Sequence, residues 1–426
     1  MKLKLRLIVM NFLVFAVWGS YLTSMGSYLA SVGMGNKIGW FYSVQGIVSL
    51  FMPALIGIVA DRWIQAQKML SICHFLAAFF MFLTGYMGMI YGDQVPFGQL
   101  FPFYTMSVAF FMPTIALDNS VSYTALTAGG YDTVKAFPPI RVFGTIGFIC
   151  SMWIVDLLGF QHDYRQFYVC AAWGIILGIY ALTLPQCPVN KNVEKKSFVD
   201  TFGLRAFSLF KDKKMCLFFI FSMLLGVSLQ ITNGYANAFI SSFESVKEYA
   251  DTFAVQHANI LISLSQISET LCILLIPFCL RRFGIKNVML MAMFAWVFRF
   301  GFFAIGNPGG GVWLFILSMI VYGVAFDFFN ISGSLFVDKE TSPDIRSSAQ
   351  GVFMMMTNGF GATIGTLGAQ VVVNHLVYSH KNPIEQIPAW STTWYVFAGY
   401  ALVVAVLFAI FFKYKHERTG KLKTEN

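Results

Sequence analysis

The chain has 426 residues, of which 57% are hydrophobic and only 12% charged, and its mean hydropathy is +0.66. A soluble domain carries about 25% charged residues, so the composition excludes a soluble protein and points to an all-α protein embedded in membrane lipid. The net charge of +9 would suggest nucleic acid in a soluble protein, but here it follows from a one-sided placement of Lys and Arg, and no nucleic-acid partner is expected.

The first run opens Met1-Lys-Leu-Lys-Leu-Arg6 and stays apolar to about residue 30. That is longer than the roughly 7–15 residues of a signal-peptide core, so an uncleaved first span is expected. Apolar runs of membrane-crossing length follow at about 39–60, 69–91, 99–122, 138–158 and 165–185. They resume at about 215–241, 255–280, 287–305, 312–337, 347–373 and 393–412. This predicts twelve spans as a six-helix bundle over 1–185, a basic linker over 186–214, a second six-helix bundle over 215–412 and a tail over 413–426.

With that alternation, 23 of the 29 Lys and Arg fall on the side of the N-terminus, four on the other side and two, Arg141 and Arg299, inside spans. The asymmetry places both termini in the cytoplasm. In the linker, Phe202, Ala206, Leu209 and Phe210 recur at helical spacing. Both a short amphipathic helix on the inner surface and a plain linker fit that pattern. The seven Cys and six His are dispersed with no metal-ligand spacing, so no metal site is expected, and the Cys read as small apolar fillers.

Six plus six spans around a basic linker is the outline of the major facilitator superfamily. Gly57-Ile-Val-Ala-Asp61-Arg62 resembles the core of that superfamily's cytoplasmic loop motif, although its later Gly and basic pair are missing. Arg281-Arg282-Phe-Gly284 occupies the equivalent loop of the second half, a weak echo of internal repetition.

Ionisable residues inside spans are costly, about 2.5–3.5 kcal/mol for a central charge, and mark sites or pathways. In the fifth span Arg141, Thr145 and Phe148 share one face; Arg141 could also snorkel to the nearer surface. Pro138 and Pro139 suit a helix start there. In the seventh, Gln230 and Asn233 share a face, with Asn237 a turn on, and could serve a polar ligand or join helices. Gln266 and Glu269 lie near mid-depth of the eighth. In the tenth, Tyr322 and Phe326 share one face, and Asp327 and Asn330 another.

Two carboxyls at that depth need a partner or a proton. They could pair with Arg141 or Arg299, or carry protons for a coupled carrier. Asp118 is placed near the cytoplasmic end of the fourth span, Asp156 at the outer end of the fifth, and Arg299 is expected to snorkel outward or pair. Gly361 and Gly365, like Gly174 and Gly178, have close-packing spacing. No nucleophile triad, metal set or phosphate loop is visible, so an enzyme is not expected. Aromatic faces, amides and carboxylates together suit a neutral polar ring compound, a sugar or a nucleoside.

Longer strings carry a more specific resemblance. They are Phe137-Pro-Pro-Ile-Arg-Val-Phe-Gly-Thr-Ile-Gly-Phe148, Leu229-Gln-Ile-Thr-Asn233, Ser265-Gln-Ile-Ser-Glu-Thr270 and Tyr322-Gly-Val-Ala-Phe-Asp-Phe-Phe-Asn-Ile-Ser-Gly333, with Ala349-Gln-Gly-Val-Phe-Met-Met-Met-Thr-Asn-Gly-Phe-Gly361 beyond them. These resemble the nucleoside:proton symporter family of bacterial permeases within the major facilitator superfamily, over nearly the whole chain. The resemblance implies proton-driven nucleoside uptake across the inner membrane, with protons as the coupling ion and no other cofactor. It implies substrate-binding positions at Arg141, Thr145, Phe148, Gln230, Asn233, Gln266, Glu269, Tyr322, Phe326 and Asp327, with Glu269 or Asp327 as the proton carrier. A monomer in lipid is expected to suffice. A transporter of xanthosine or a sugar, or a membrane receptor, is the alternative.

Overall fold

The computed structural model describes residues 2–187, 204–342 and 345–414, apart from a few side chains that include Asp61 and Arg62. Phe202 and most of the linker, and nearly all of the tail, lie outside the described residues. Among the described residues every regular element is helical. Eight helical stretches are long and apolar enough to cross a membrane, one of them, Ile276–Ile305, with a kink at Gly284. They correspond to the second, third, fourth, fifth, seventh, ninth, tenth and twelfth predicted spans.

The other four runs are helical but shorter or interrupted, and the interruptions have local causes. The first is a helix over Lys2–Gly19 and another over Met25–Ser31, separated at the polar stretch Gly19-Ser20. There the Ser20 hydroxyl bonds back to the Ala16 carbonyl at 2.8 Å, and a Gly/Ser pair is a known breaking point. The sixth spans only Arg165–Ala181. The eighth consists of one turn, Phe253–Gln256, then Ala258–Ile273, with His257 non-helical between them, and resumes after a turn at 274–275 from Ile276 to the kink at Gly284. The eleventh widens to a π-helix over Met355–Gly361 between Arg346–Met354 and Ala362–Leu376, a departure that often accompanies functional sites. Broken spans leave backbone polar groups free, which is tolerated in a membrane only where protein or a polar cavity covers them.

One sequence expectation is corrected, and one left open is described. The fifth span begins at Thr133, so Pro138 and Pro139 lie inside its helix, not at its start. Leu204–Lys211 forms a 3₁₀ helix, in which the Phe210 ring packs on Phe219 of the seventh span at 5.1 Å; this part of the linker lies on the second bundle.

Each half is held by backbone-to-backbone crossings at glycine. In the first, a Cβ on Gly19 would stand 2.3 Å from the Phe148 carbonyl oxygen and one on Gly147 2.1 Å from that of Phe12, so the first and fifth spans touch directly. In the second, a Cβ on Gly226 would stand 2.1 Å from the Thr357 carbonyl oxygen and one on Gly361 2.5 Å from that of Met223, so the seventh and eleventh spans do the same. The first span's counterpart is the seventh and the fifth's is the eleventh, as internal repetition requires. Gly174 and Gly178 pack on Ala78 and Phe75.

Between the halves, the contacts run from the second span to the eleventh, from the fifth to the eighth, and from Met25–Ser31 to the seventh. Among the described residues, the hydrogen bonds that join the halves lie at the end of the bundle away from the termini. The Thr23 hydroxyl donates to Asn259 Oδ1 at 3.0 Å, Trp153 Nε1 donates to Ser263 Oγ at 2.9 Å, and Gln161 Nε2 donates to the Gln256 carbonyl at 2.8 Å. The Ser27 hydroxyl bonds Asn237, and Gln370 Nε2 reaches the Gly35 carbonyl at 3.1 Å. The far end is therefore closed.

The link from the eighth to the ninth span passes through Gly284, at φ 78° and ψ 167°, a region essentially reserved for glycine. Gly284→Ala should destabilise the protein by about 1–3 kcal/mol and lower its melting temperature in detergent. An unchanged melting temperature would mean that the link relaxes freely.

Candidate functional site

The polar residues singled out by depth converge where the two halves meet. A small polar cleft, with room for little more than a water molecule, is lined by Asn233, Gln266 and Tyr322, three of the predicted residues. Gln230 is buried and accepts a 3.4 Å hydrogen bond from Asn233 Nδ2. Gln266 Oε1 has no partner, so an amide acceptor stands free beside the cavity. Phe326 is stacked on Tyr322 with ring centroids 6.1 Å apart and 12° between planes. An aromatic pair and an unpartnered amide oxygen are groups suited to a flat polar ring.

The charged residues form a second group beside it. Arg141 lies over the Phe15 ring at 3.8 Å, within electrostatic reach of Asp118, Glu269 and Asp327. None of Arg141, Glu269 and Asp327 makes a direct ion pair among the described residues. Asp327 is 5% exposed, and its Oδ2 has no hydrogen-bond partner. A lone charged carboxylate buried this deep costs several kcal/mol, so the site demands either a proton or the approach of a cation. Thr145 is half-buried on the same span face as Arg141. Phe148 is buried edge-to-face on Trp18 at 6.2 Å.

Arg299 departs from expectation. It does not snorkel: it is 1% exposed, and its Nη1 donates to the Ser318 carbonyl at 2.7 Å and to Ser265 Oγ at 3.3 Å. Its guanidinium stands over the Tyr322 ring at 4.5 Å, and it lines the cavity. A desolvated cation over an aromatic face gains about 2 kcal/mol, which offsets part of its burial. Its central position in a span was the signal that could have placed it in the site.

Asp118 is fully buried, with neither carboxylate oxygen hydrogen-bonded among the described residues. Thr23, Thr232, Asn237, Ile262 and Ser265 complete the wall. Thr23 carried no sequence signal, because one hydroxyl in an apolar run is ordinary; the break in the first span is what turns it inward.

The family model described as "Nucleoside H+ symporter" matches residues 1–417. The chain is 49% identical over 421 residues to the nucleoside permease NupG of Escherichia coli strain K12, covering 98% of each. It is 46% identical over 420 residues to the xanthosine permease of the same organism, covering 98% of this chain and 97% of that one. A crystal structure of a mutant of the nucleoside transporter NupG superposes with a TM-score of 0.90 at 48% identity, covering 96% of this chain and all of that one.

Proposed function

The chain belongs to the nucleoside H+ symporter family, and from that premise we propose that it takes up nucleosides together with protons by alternating access. It is a membrane transporter with the twelve-span major facilitator fold, and not an enzyme. The observation that carries the reading is the polar cleft at the meeting of the halves, lined by Asn233, Gln266 and Tyr322, with Glu269 and Asp327 within electrostatic reach of both Tyr322 and Arg141.

In this reading Phe148 and Phe326 pack beside the nucleoside ring. Gln230, Asn233 and Gln266 hydrogen-bond it, and Tyr322 closes one side. Thr145 offers a hydroxyl from the first half. Glu269 or Asp327 carries the proton, and Arg141 holds the carboxyl that is ionised at a given stage. Arg299 fixes Tyr322 and the shape of the wall.

The protein lies in the inner membrane with both termini cytoplasmic, as the placement of Lys and Arg supports, and it works as a monomer. The closed far end is then periplasmic, and the conformation is inward-facing. The bundles 1–185 and 215–412, joined by 186–214, rock about the central site.

The test is uptake of radiolabelled uridine and adenosine by cells expressing the protein, with and without a protonophore. Uptake that collapses with the protonophore is expected; uptake that ignores it would mean facilitated diffusion or another ion. The similarity to a xanthosine permease favours a second solute, and competition by unlabelled xanthosine measures its share.

A further inference from the structure

Asp156 sits at the far end of the fifth span, in the first half, yet its carboxylate is committed to the second half. Its side chain is fully buried. Oδ2 accepts from the backbone N–H groups of Asn259 at 3.1 Å and Ile260 at 3.3 Å, and Oδ1 lies 2.5 Å from His257 Nδ1. Those N–H groups open the helix Ala258–Ile273, whose own preceding residue, His257, supplies no side-chain cap. A helix start leaves orphan donors and a partial positive charge. Here the anion that satisfies them comes from across the interface between the halves.

The neighbours leave this role to Asp156 alone. His162 and His257 are the titratable groups that face it. Burial holds the His162 ring below the usual histidine range, so it adds no competing cation. Asn259 Oδ1 also accepts from Thr23 of the first half at 3.0 Å and from Asn237 of the second at 2.7 Å, so the residue whose N–H Asp156 caps takes part in a further bond across the seam.

We propose that Asp156 is the positioning residue that closes the outer side of the transporter, by capping the first turn of the eighth span from the opposite half. This rests on the transport reading above. The cap exists only while the far end is closed. When the halves part there, the helix start loses its anion and the carboxylate enters the periplasmic medium. Closure therefore gains charge-assisted bonds that the open state lacks.

The full chain in right-side-out vesicles tests this without any substrate, so its outcome stands apart from whether nucleoside is the solute. Ala238 is 5% exposed and lines the far-end vestibule. A reporter Ala238→Cys should react slowly with a membrane-impermeant maleimide, after subtraction of the background from the parent protein. Adding Asp156→Asn should speed that labelling by about tenfold, the factor equal to about 1.4 kcal/mol. A second reporter, Thr145→Cys, labelled in inside-out vesicles, should slow in the same background. Faster labelling on both sides would show a merely loosened fold and overturn the proposal, as would no change on either. If Asp156→Asn does not reach the membrane, His257→Ala removes one bond of the cap and should give a smaller shift of the same sign; equal rates with and without it would overturn the proposal too.

Discussion

Asp327→Asn should abolish accumulation of nucleoside against its gradient while leaving exchange across the membrane measurable. The side chain is 5% exposed and its Oδ2 has no partner. Asn keeps the shape and one acceptor but cannot take or release a proton. The substrate can still bind and the halves can still rock, so downhill exchange persists, but nothing ties the cycle to the proton gradient. Glu269→Gln should act in the same sense, because the two carboxyls and Arg141 influence one another directly. In proteoliposomes with an imposed pH gradient, the internal concentration of labelled uridine should stop at the external value in either variant. Full accumulation by Asp327→Asn together with its loss in Glu269→Gln would place the proton on Glu269 alone. Full accumulation by both would falsify proton carriage at this site.

The second large effect is expected at Gly26. A Cβ there would stand 2.2 Å from the Gly234 carbonyl oxygen and 3.8 Å from the Ala238 side chain, across the interface between the halves. No real Cβ tolerates such a contact with backbone, so even Ala forces the halves apart. Gly26→Leu should hold the far end open and cut uptake by more than about tenfold, a loss that about 1.4 kcal/mol of obstruction suffices to produce. Nucleoside binding from the outside should survive, since the wedge lies beyond the central cavity. Quantified protein in the membrane separates this from failed insertion. Uptake within about twofold of the parent, a few tenths of a kcal/mol by the same conversion, would show that the seam closes differently.

Much of this was legible from depth and period. The alternation of charge along the loops, and the carboxylates of Glu269 and Asp327 in long apolar runs, can be read without a structure because the bilayer penalises each position independently. Helical period likewise joined Gln230 to Asn233 and Arg141 to Thr145. What could not be read was which neighbour each polar group meets. Depth places Asp118 and Asp156 toward the ends of their spans, but one ends buried without a hydrogen bond and the other caps a helix from the opposite half. Arg299 looked peripheral because snorkelling is the usual fate of a long basic side chain, yet Ser318, Ser265 and Tyr322 receive it inside. The broken first and eighth spans were hidden because an apolar average is insensitive to a single non-helical residue such as His257.

The paired glycine crossings have a mechanical consequence. Where main chain rests on main chain, as at Gly19 and Phe148 or Gly226 and Thr357, no soft layer of side chains remains to absorb a push. Each bundle then behaves as a stiff lever, and the compliance of the molecule is concentrated in the thin polar seam between the two. A rigid object lodged in the far vestibule, such as the loop of an antibody fragment, would close the opposite mouth without touching it. Distances between labels within one bundle would stay fixed while those spanning the seam change.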